Sequence, residues 1–212
     1  MAPKTAAPPE RKRRKAEPAV RRQAILDAGL AVFAADGFAA AKLDDVAKRA
    51  GIAKGTIYLH FRDKQDLFEQ IVRAATAPLV DHMQAMEDLP DVPVSVLLAG
   101  LFAFYRQEIL GTERRHVMRL LLTEGLRFPE IAAFYYRDVI ERGLALIASL
   151  AERGRANGEP IPPEVAVFPQ LVMAPLVVAV LWDGLFAQVA PLDVEGLLAA
   201  HLRLLTAGPS NQ

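Results

Sequence analysis

The sequence predicts an all-α protein with an N-terminal three-helix head and a larger C-terminal helical domain. Apolar residues recur at the three- and four-residue spacing of amphipathic helices along most of the chain, and glycines and prolines separate the periodic segments. The chain has 212 residues, of which 52% are apolar, and this suffices for one sizeable core or two modest ones.

Charge is divided between the two parts of the chain. Residues 1–62 contain 13 basic and 6 acidic residues, a net charge of +7, whereas residues 63–212 contain 12 and 19, a net charge of −7. This asymmetry indicates a basic part that faces nucleic acid and an acidic part that stays away from phosphates. The absence of cysteine excludes disulfides and thiolate chemistry. Charged residues stand where a secretory signal needs apolar ones, which favours a cytoplasmic location.

Residues 1–18 are predicted to form a disordered basic arm. They combine four prolines with the basic run RKRRK and contain almost nothing that could be buried. Two interpretations remain open. The arm adds phosphate or minor-groove contacts beside a DNA site, or it is a solubilising tail.

The first two helices of the head are predicted at residues 19–36 and 43–50. One apolar stripe runs along the first helix, and Gly37 is suited to end it. A short alanine-rich linker, residues 38–41, then leads to the second helix. The inward face of the second helix is formed by Leu43, Val46, Ala47 and Ala50.

A tight turn and a third helix, at about residues 54–61, complete the head. Gly51 can take the positive φ that ends the second helix and redirects the chain. Ile57 and Phe61 lie four residues apart on the buried face, and Gly55 leaves the backbone open to a phosphate. Asp63 is predicted to cap a fourth helix.

This arrangement resembles a known DNA-binding domain. The segment GIAKGTIYLHFRDKQDLF, preceded by LDDVAKRA and by an amphipathic helix ending in DGF, is similar to the helix-turn-helix domain of the tetracycline-repressor (TetR/AcrR) family. The resemblance implies an all-α homodimer whose heads bind a pseudo-palindromic double-stranded DNA operator and whose C-terminal domain dimerises and binds a small-molecule inducer. The implied division is a helix-turn-helix DNA-binding domain at residues 19–63 and a ligand-binding and dimerisation domain at residues 64–208.

Carried over position by position, the resemblance implies DNA contacts by six residues. These are Lys54, Gly55, Thr56, Tyr58, His60 and Lys64. We expect Lys54 and Thr56 to reach base edges. Tyr58, His60 and Lys64 are expected to position the head through phosphates.

Three positions depart from the family pattern and are expected to alter operator preference. Many members carry Thr or Ser where this chain has Lys42, and Ser where it has Ala53, so two helix-capping hydroxyls are lost. We expect Lys42 and the arm to take over some phosphate contact. Leu59 replaces a Tyr or His of many relatives. A leucine cannot bond to phosphate but can pack on a thymine methyl, which favours an A·T pair.

Helices continue through the second domain. The fourth helix runs on from Lys64, and Pro78 is expected to kink or interrupt it. Further helices are predicted at residues 94–110, after Thr112, and from Pro129 to near Gly158. The piece RLLLTEGLRFPEIAAFYY resembles the C-terminal domain of the AefR-like subgroup, and this resemblance is weaker than the first.

The most apolar stretch, residues 165–190, approaches the length of a membrane span. Pro169, Pro175 and Asp183 oppose that interpretation, as does the amphipathic helix predicted at residues 194–207. We therefore expect no membrane partner. The stretch is predicted to be a helix covered partly by a second copy, forming a four-helix dimer interface with the last helix.

Catalytic, metal and cofactor motifs are not recognisable, since the four histidines lack ligand spacing and no strand precedes a glycine-rich loop. An enzyme is therefore not expected. Aromatic and methionine residues of the second domain are candidates for lining an apolar ligand cavity, although such residues also form ordinary cores. The candidates are Met83, Phe102, Tyr105, Met118, Phe134, Tyr135, Met173 and Trp182.

Together these features predict a ligand-responsive transcriptional regulator. We expect a repressor that a small apolar or amphipathic ligand releases from an inverted-repeat operator. Two alternatives remain. One is a small all-α enzyme with a vestigial head, and the other is a sequence-independent nucleic-acid-binding or architectural protein that acts through the basic arm.

Overall fold

The computed structural model describes residues 18–206, and within this range it contains eleven α-helices, two π-helical segments and no strand. The predicted arm lies outside the described residues except for Pro18, at which the first helix begins. Two segments with π-helical geometry extend the α-helices, Tyr105–Leu110 after α5 and Tyr136–Ile140 between α7 and α8. The α-helices are α1 (Pro18–Ala40), α2 (Leu43–Ala50), α3 (Lys54–Ile57), α4 (Lys64–Glu87), α5 (Val94–Phe104), α6 (Arg114–Glu124), α7 (Pro129–Tyr135), α8 (Glu141–Ala156), α9 (Pro163–Val167), α10 (Gln170–Leu185) and α11 (Val194–Thr206).

The head is formed by α1, α2 and α3, which pack against the start of α4. Helix α2 has the predicted bounds, and Gly51 ends it with a φ of 67°. Gly37 has a φ of 73° and kinks α1, but the chain resumes one helical turn after it where a linker was predicted. That part of the prediction was wrong.

Helix α3 is shorter than predicted. Regular α-helix stops at Ile57, and the following residues form tighter turns in which the Leu59 amide donates to the Thr56 carbonyl at 3.3 Å. Ile57 and Phe61 are nevertheless both buried, as predicted, because the Phe61 amide still donates to the Ile57 carbonyl.

Helix α4 joins the head to the second domain without a break. The Asp63 carboxylate caps it by accepting from the Asp66 amide at 2.8 Å, as predicted. The helix is not interrupted at Pro78, contrary to one of the two predicted outcomes. Its 24 residues correspond to about 36 Å of rise.

One hydrophobic core runs through the head and the second domain. Four aromatic rings connect the head to the second domain within this core, with neighbouring ring centroids 4.9 to 5.8 Å apart. Phe33 and Phe38 come from α1, Phe68 from α4, and Phe128 from the residue before α7. Aromatic pairs at such distances favour the offset and edge-to-face contacts seen here.

The most apolar stretch is divided into shorter helices. Helix α10 has only 16 residues, since the chain is not helical at Pro169 and leaves the helix after Leu185. By length and composition alone, α1 could cross a membrane. Its apolar face, however, is buried in the core at Ile25, Leu26 and Phe33, which is the arrangement of a core helix.

Candidate nucleic-acid interface and cavity

The surface formed by α3 and the turn after it presents the residues predicted to contact DNA. Tyr58 and Leu59 project into solvent, with exposed fractions of 51% and 82%. Gly55 is exposed, and nothing lies within 4 Å of the position that a Cβ would take there. Thr56 and His60 are half-buried at the edge of the same surface. Because Ile57 and Phe61 are buried, Tyr58 and Leu59 between them face the solvent.

Arg22 supports the surface from behind. Its guanidinium donates to Gln70 Oε1 at 2.8 Å and lies 5.5 Å from the centroid of the Phe61 ring. One side chain of α1 thereby contacts both α4 and the segment between α3 and α4. These contacts fix the orientation of the turn relative to the rest of the head.

Lys54 is exposed but has a partner in the free protein. Its Nζ lies 2.7 Å from Asp44 Oδ1, and the hydrogen bond and charge of Asp44 raise the pKa of Lys54. The pair links the first turn of α2 to the start of α3. A DNA contact by Lys54 therefore requires its ammonium to exchange Asp44 for an acceptor on DNA, or to share its three donors between them.

Lys64 has a structural role in the free protein. Its Nζ donates to the carbonyl oxygens of Phe38 at 2.8 Å, Ala39 at 2.9 Å and Ala41 at 3.3 Å. An ammonium has three donors, so all of them are engaged at the end of α1. The ammonium also lies 4.8 Å from the centroid of the Phe38 ring. The predicted phosphate contact would require this ammonium to exchange one of the carbonyls for a phosphate oxygen, and it stays a prediction.

The two lost capping hydroxyls have no substitute. Neither Lys42 before α2 nor Ala53 before α3 makes a side-chain cap hydrogen bond. The Lys42 side chain is exposed beside the first turn of α2.

An apolar cavity of about 150 Å³ lies inside the second domain. Helices α4, α5, α6, α7, α8 and α10 and both π-helical segments contribute to its walls. The lining residues are Leu79, Met83, Leu101, Tyr105, Met118, Leu121, Leu122, Tyr135, Val139, Ile140, Gly143, Ile147, Met173, Leu176, Val177 and Val180. None of them carries a charge, and the phenol hydroxyls are the only oxygen or nitrogen groups among their side chains.

Five of the eight predicted cavity residues line this space. They are Met83, Tyr105, Met118, Tyr135 and Met173. Phe102, Phe134 and Trp182 do not, and their predictions are corrected. Phe102 faces α11 near His201, Phe134 lies under the guanidinium of Arg73 at 4.6 Å, and Trp182 Nε1 donates to the Ala190 carbonyl at 2.6 Å.

The two tyrosines are the polar groups of the cavity. Burial raises the pKa of Tyr135 to about 12, and burial together with the neighbouring Tyr135 raises the pKa of Tyr105 still further. Both hydroxyls are therefore neutral donors at physiological pH. The Tyr135 hydroxyl donates to Met118 Sδ at 3.7 Å, and a thioether is a weak acceptor.

The eleven other lining residues have no distinguishing pattern in the sequence, since nearly all are aliphatic and aliphatic residues fill every core. Val139 and Ile140 belong to a π-helical segment, which turns their side chains away from the face that a regular helix would give them. Gly143 lets a neighbouring helix approach, as a Cβ there would lie 3.4 Å from Met83 Sδ.

Comparison with known proteins identifies the family. Residues 25–71 match the family model described as bacterial regulatory proteins, tetR family. The chain is 31% identical over 193 residues to the HTH-type transcriptional regulator YhgD of Bacillus subtilis, which covers 86% of this chain and 94% of that protein. The chain belongs to the TetR family.

Two further relatives and one solved structure agree with this family assignment. It is 37% identical over 158 residues to the HTH-type transcriptional repressor BepR of Brucella suis, covering 70% of this chain and 74% of the relative. It is 33% identical over 101 residues to AcrR of Shigella flexneri, and this match spans about half of each protein, 47%. FadR of Bacillus subtilis, solved in complex with stearoyl-CoA, has the same fold, with a TM-score of 0.65, 23% identity and coverage of 88% and 98%.

The family membership establishes the general activity. This TetR-family protein is a DNA-binding transcriptional regulator and not an enzyme. Members of the family bind DNA operators and small-molecule ligands, typically as dimers.

Proposed function

We propose that this TetR-family protein is a homodimeric cytoplasmic repressor that leaves an inverted-repeat operator when a small apolar or amphipathic ligand enters the cavity. The proposal rests chiefly on the continuity of α4. Lys64, at its first turn, holds the end of α1 in the head, whereas Leu79 and Met83, further along the same unbroken helix, line the cavity. A ligand that displaces α4 at the cavity therefore also displaces it at the head.

A second connection runs through α7. Tyr135, at the end of α7, lines the cavity, and Phe128, just before its start, packs on Phe38 of the head with ring centroids 4.9 Å apart. Beside this contact, Glu124 at the end of α6 faces the kink at Gly37. Two helices thus join the cavity wall to the head. A ligand shifts the balance between head positions only as far as it binds one of them more tightly.

Eight residues are the proposed DNA contacts, namely Lys42, Lys54, Gly55, Thr56, Tyr58, Leu59, His60 and Lys64. None of them is fully buried, which supports this assignment. Lys54 and Thr56 are assigned to base edges, Leu59 to a thymine methyl, and Lys42, Tyr58, His60 and Lys64 to phosphates. The proposed DNA-binding domain covers residues 19–63, and the ligand-binding and dimerisation domain residues 64–208.

A second copy is the proposed cover of α10. One side of this helix exposes a row of apolar side chains, and rows of this kind mark protein interfaces. They are Leu171, Val177, Val178, Leu181 and Leu185. A two-fold axis through this face places two heads on one DNA duplex in inverted orientation, which requires an inverted-repeat operator.

A footprint on the promoter region of the chain's own gene tests the DNA-binding proposal. We expect protection of two inverted half-sites whose centres lie about one helical turn, or a multiple of it, apart. Competition with random duplex at moderate salt measures the preference. If random duplex competed equally well, and if deletion of residues 1–18 abolished DNA binding, the result would instead support non-specific binding through the arm.

Substitutions in the head distinguish the proposed regulator from the remaining alternative, a small all-α enzyme with a vestigial head. Replacing Lys54 and Tyr58 by alanine should abolish the footprint and the regulation of a reporter gene, with the fold retained in circular dichroism. If cellular regulation survived this double substitution, the head would not be the regulatory element and the proposal would fail.

A further inference from the structure

A surface groove borders the cavity, and the two share a wall. The groove has a volume of about 370 Å³ and lies between the end of α6 and the helix formed by α7 and the following π-helical segment. Gly125, Leu126, Ala132 and Tyr136 line only the groove. Leu121, Leu122, Tyr135 and Ile140 line both the groove and the cavity and form their shared wall.

The groove is apolar although it faces water. Leu126 is 89% exposed and Tyr136 is 52% exposed, and none of the lining residues carries a charge. Large apolar side chains that remain in water beside a cavity are typical of ligand-binding grooves. The floor is formed by small residues, since a Cβ on Gly125 would lie 3.5 Å from the Ala132 Cβ.

The side chains of the shared wall are only weakly held. Tyr135 directly precedes the π-helical segment Tyr136–Ile140 and Ile140 is its last residue, and such segments recur where helices carry function. Tyr135, Leu122 and Ile140 are each only half-buried. Among residues 18–206, the Tyr135 hydroxyl is held by the weak contact with Met118 Sδ. A ligand oxygen is a better acceptor and would replace it.

We infer that the cavity and the groove are two halves of one site for an elongated ligand, whose inner end lies in the cavity and whose apolar body continues along the groove. The inference rests on the proposed ligand-responsive function. A cavity of about 150 Å³ holds a group the size of benzene, so a larger ligand must extend beyond it. The groove is the adjoining apolar space.

The same surroundings define the chemistry of the ligand. The buried part is uncharged, because neither the cavity nor the groove offers a charged partner and an unpaired buried charge is costly. It carries a hydrogen-bond acceptor, such as a carbonyl or ester oxygen, inside the cavity, where it accepts from the Tyr135 hydroxyl, whose present partner Met118 lines the cavity and not the groove. The site thus selects a neutral ester, ketone or amide with an extended hydrocarbon chain.

Binding of two methyl esters to the full-length protein tests this inference. Methyl butanoate fills the cavity alone, whereas the chain of methyl decanoate reaches into the groove. Displacement of the neutral fluorophore N-phenyl-1-naphthylamine measures both affinities. Methylenes that leave water should improve binding by up to about fourfold each, so the longer ester should bind at least two orders of magnitude more tightly.

Two tryptophan substitutions on α7 locate the longer chain. Ala132→Trp fills the groove at an exposed helical position, and Ala133→Trp is the matched control on the next exposed residue, which does not line the groove. Ala132→Trp should weaken methyl decanoate binding by about tenfold or more, as expected for the loss of a few buried methylenes, and leave methyl butanoate unchanged. Ala133→Trp should change neither. Tyr135→Phe should weaken both esters by about fivefold to tenfold, which is the contribution of one hydrogen bond.

The other outcomes overturn the inference in distinguishable ways. If both esters bind but Ala132→Trp affects them equally or not at all, the groove is not part of the site, and the proposed regulator remains intact. If Ala132→Trp changes the molar mass in light scattering, the groove is a protein interface. If neither ester nor the fluorophore binds while the footprint is normal, the ligand-responsive part of the proposed function fails with the inference.

Discussion

Lys64 shows that one ammonium can determine how the head meets the helix that follows it. Its three donors satisfy three carbonyls at the end of α1, and removing them leaves those carbonyls without a charged partner. Lys64→Met keeps the aliphatic stem, so we expect a loss of about 1–3 kcal/mol in the free energy of unfolding, measured in urea. Lys48→Met removes an exposed ammonium 3.2 Å from Asp45 and should cost less than about 1 kcal/mol. An unchanged stability together with weaker DNA binding would show that Lys64 acts through the phosphate contact and not through the carbonyls of α1.

Leu59 offers a test of base recognition by an apolar side chain. The side chain is 82% exposed in the free protein, so Leu59→Ala should leave stability nearly unchanged. On the operator, we expect it to lower affinity by about fourfold, the value of one methyl-sized apolar contact. Replacing the contacted thymine by deoxyuridine removes the methyl group from the DNA side. Anisotropy titrations should show that the two changes together cost no more than either alone, whereas additive losses would mean that Leu59 and the methyl group do not touch.

At the scale of single elements, the kink in α1 depends on Gly37. Its φ of 73° and ψ of 168° are accessible almost only to glycine, and a Cβ there would lie 3.1 Å from Glu124 Oε1. Gly37→Ala should therefore destabilise the protein by about 1–3 kcal/mol. The matched control is Gly100→Ala in α5, where nothing lies within 4 Å and alanine should be neutral or stabilising by up to about 1 kcal/mol. Equal melting temperatures of the two variants would show that the kink tolerates a side chain.

The elements differ in how far the sequence predicts them. Helix α2 and the long helix from Pro129 to Ala156 were predicted almost to the residue, because glycine, proline and apolar periodicity mark their ends and faces. The π-helical segments were not, since a hydrogen bond to the fifth residue leaves no residue-type signature. Tyr105 and Tyr135 were predicted to line the cavity because of their residue type, whereas the aliphatic Val139 and Ile140 of the second π-helical segment were missed. The predictions for Phe102 and Trp182 were wrong for another reason. Periodicity identifies the buried face of a helix, but it does not show which buried faces enclose a cavity.

The DNA-binding surface was likewise only partly predictable from the sequence. The outward placement of Tyr58 and Leu59 follows from the burial of Ile57 and Phe61, and the spacing of those two residues is visible in the sequence. The contacts of Lys64 are not visible in the sequence, because its acceptors lie 23 to 26 positions earlier and their distance depends on how α1 ends. Local patterns therefore predict which residues face outward, whereas the partners of long charged side chains depend on the assembled fold.

At the scale of the whole molecule, operator recognition depends on two heads held at a fixed separation. Leu181 lies on the exposed apolar side of α10 with 39% of its surface in water, so Leu181→Glu should leave the monomer folded but place a charge in the proposed interface. We expect light scattering to show a monomer and operator affinity to fall by about 100-fold or more, because the second head no longer binds as part of the same molecule. Leu89→Glu introduces the same charge at a residue 45% exposed in the loop after α4 and should preserve both the dimer and the affinity. A dimeric Leu181→Glu protein with normal affinity would place the interface elsewhere, whereas a monomer that kept full affinity would show that one head suffices for the operator.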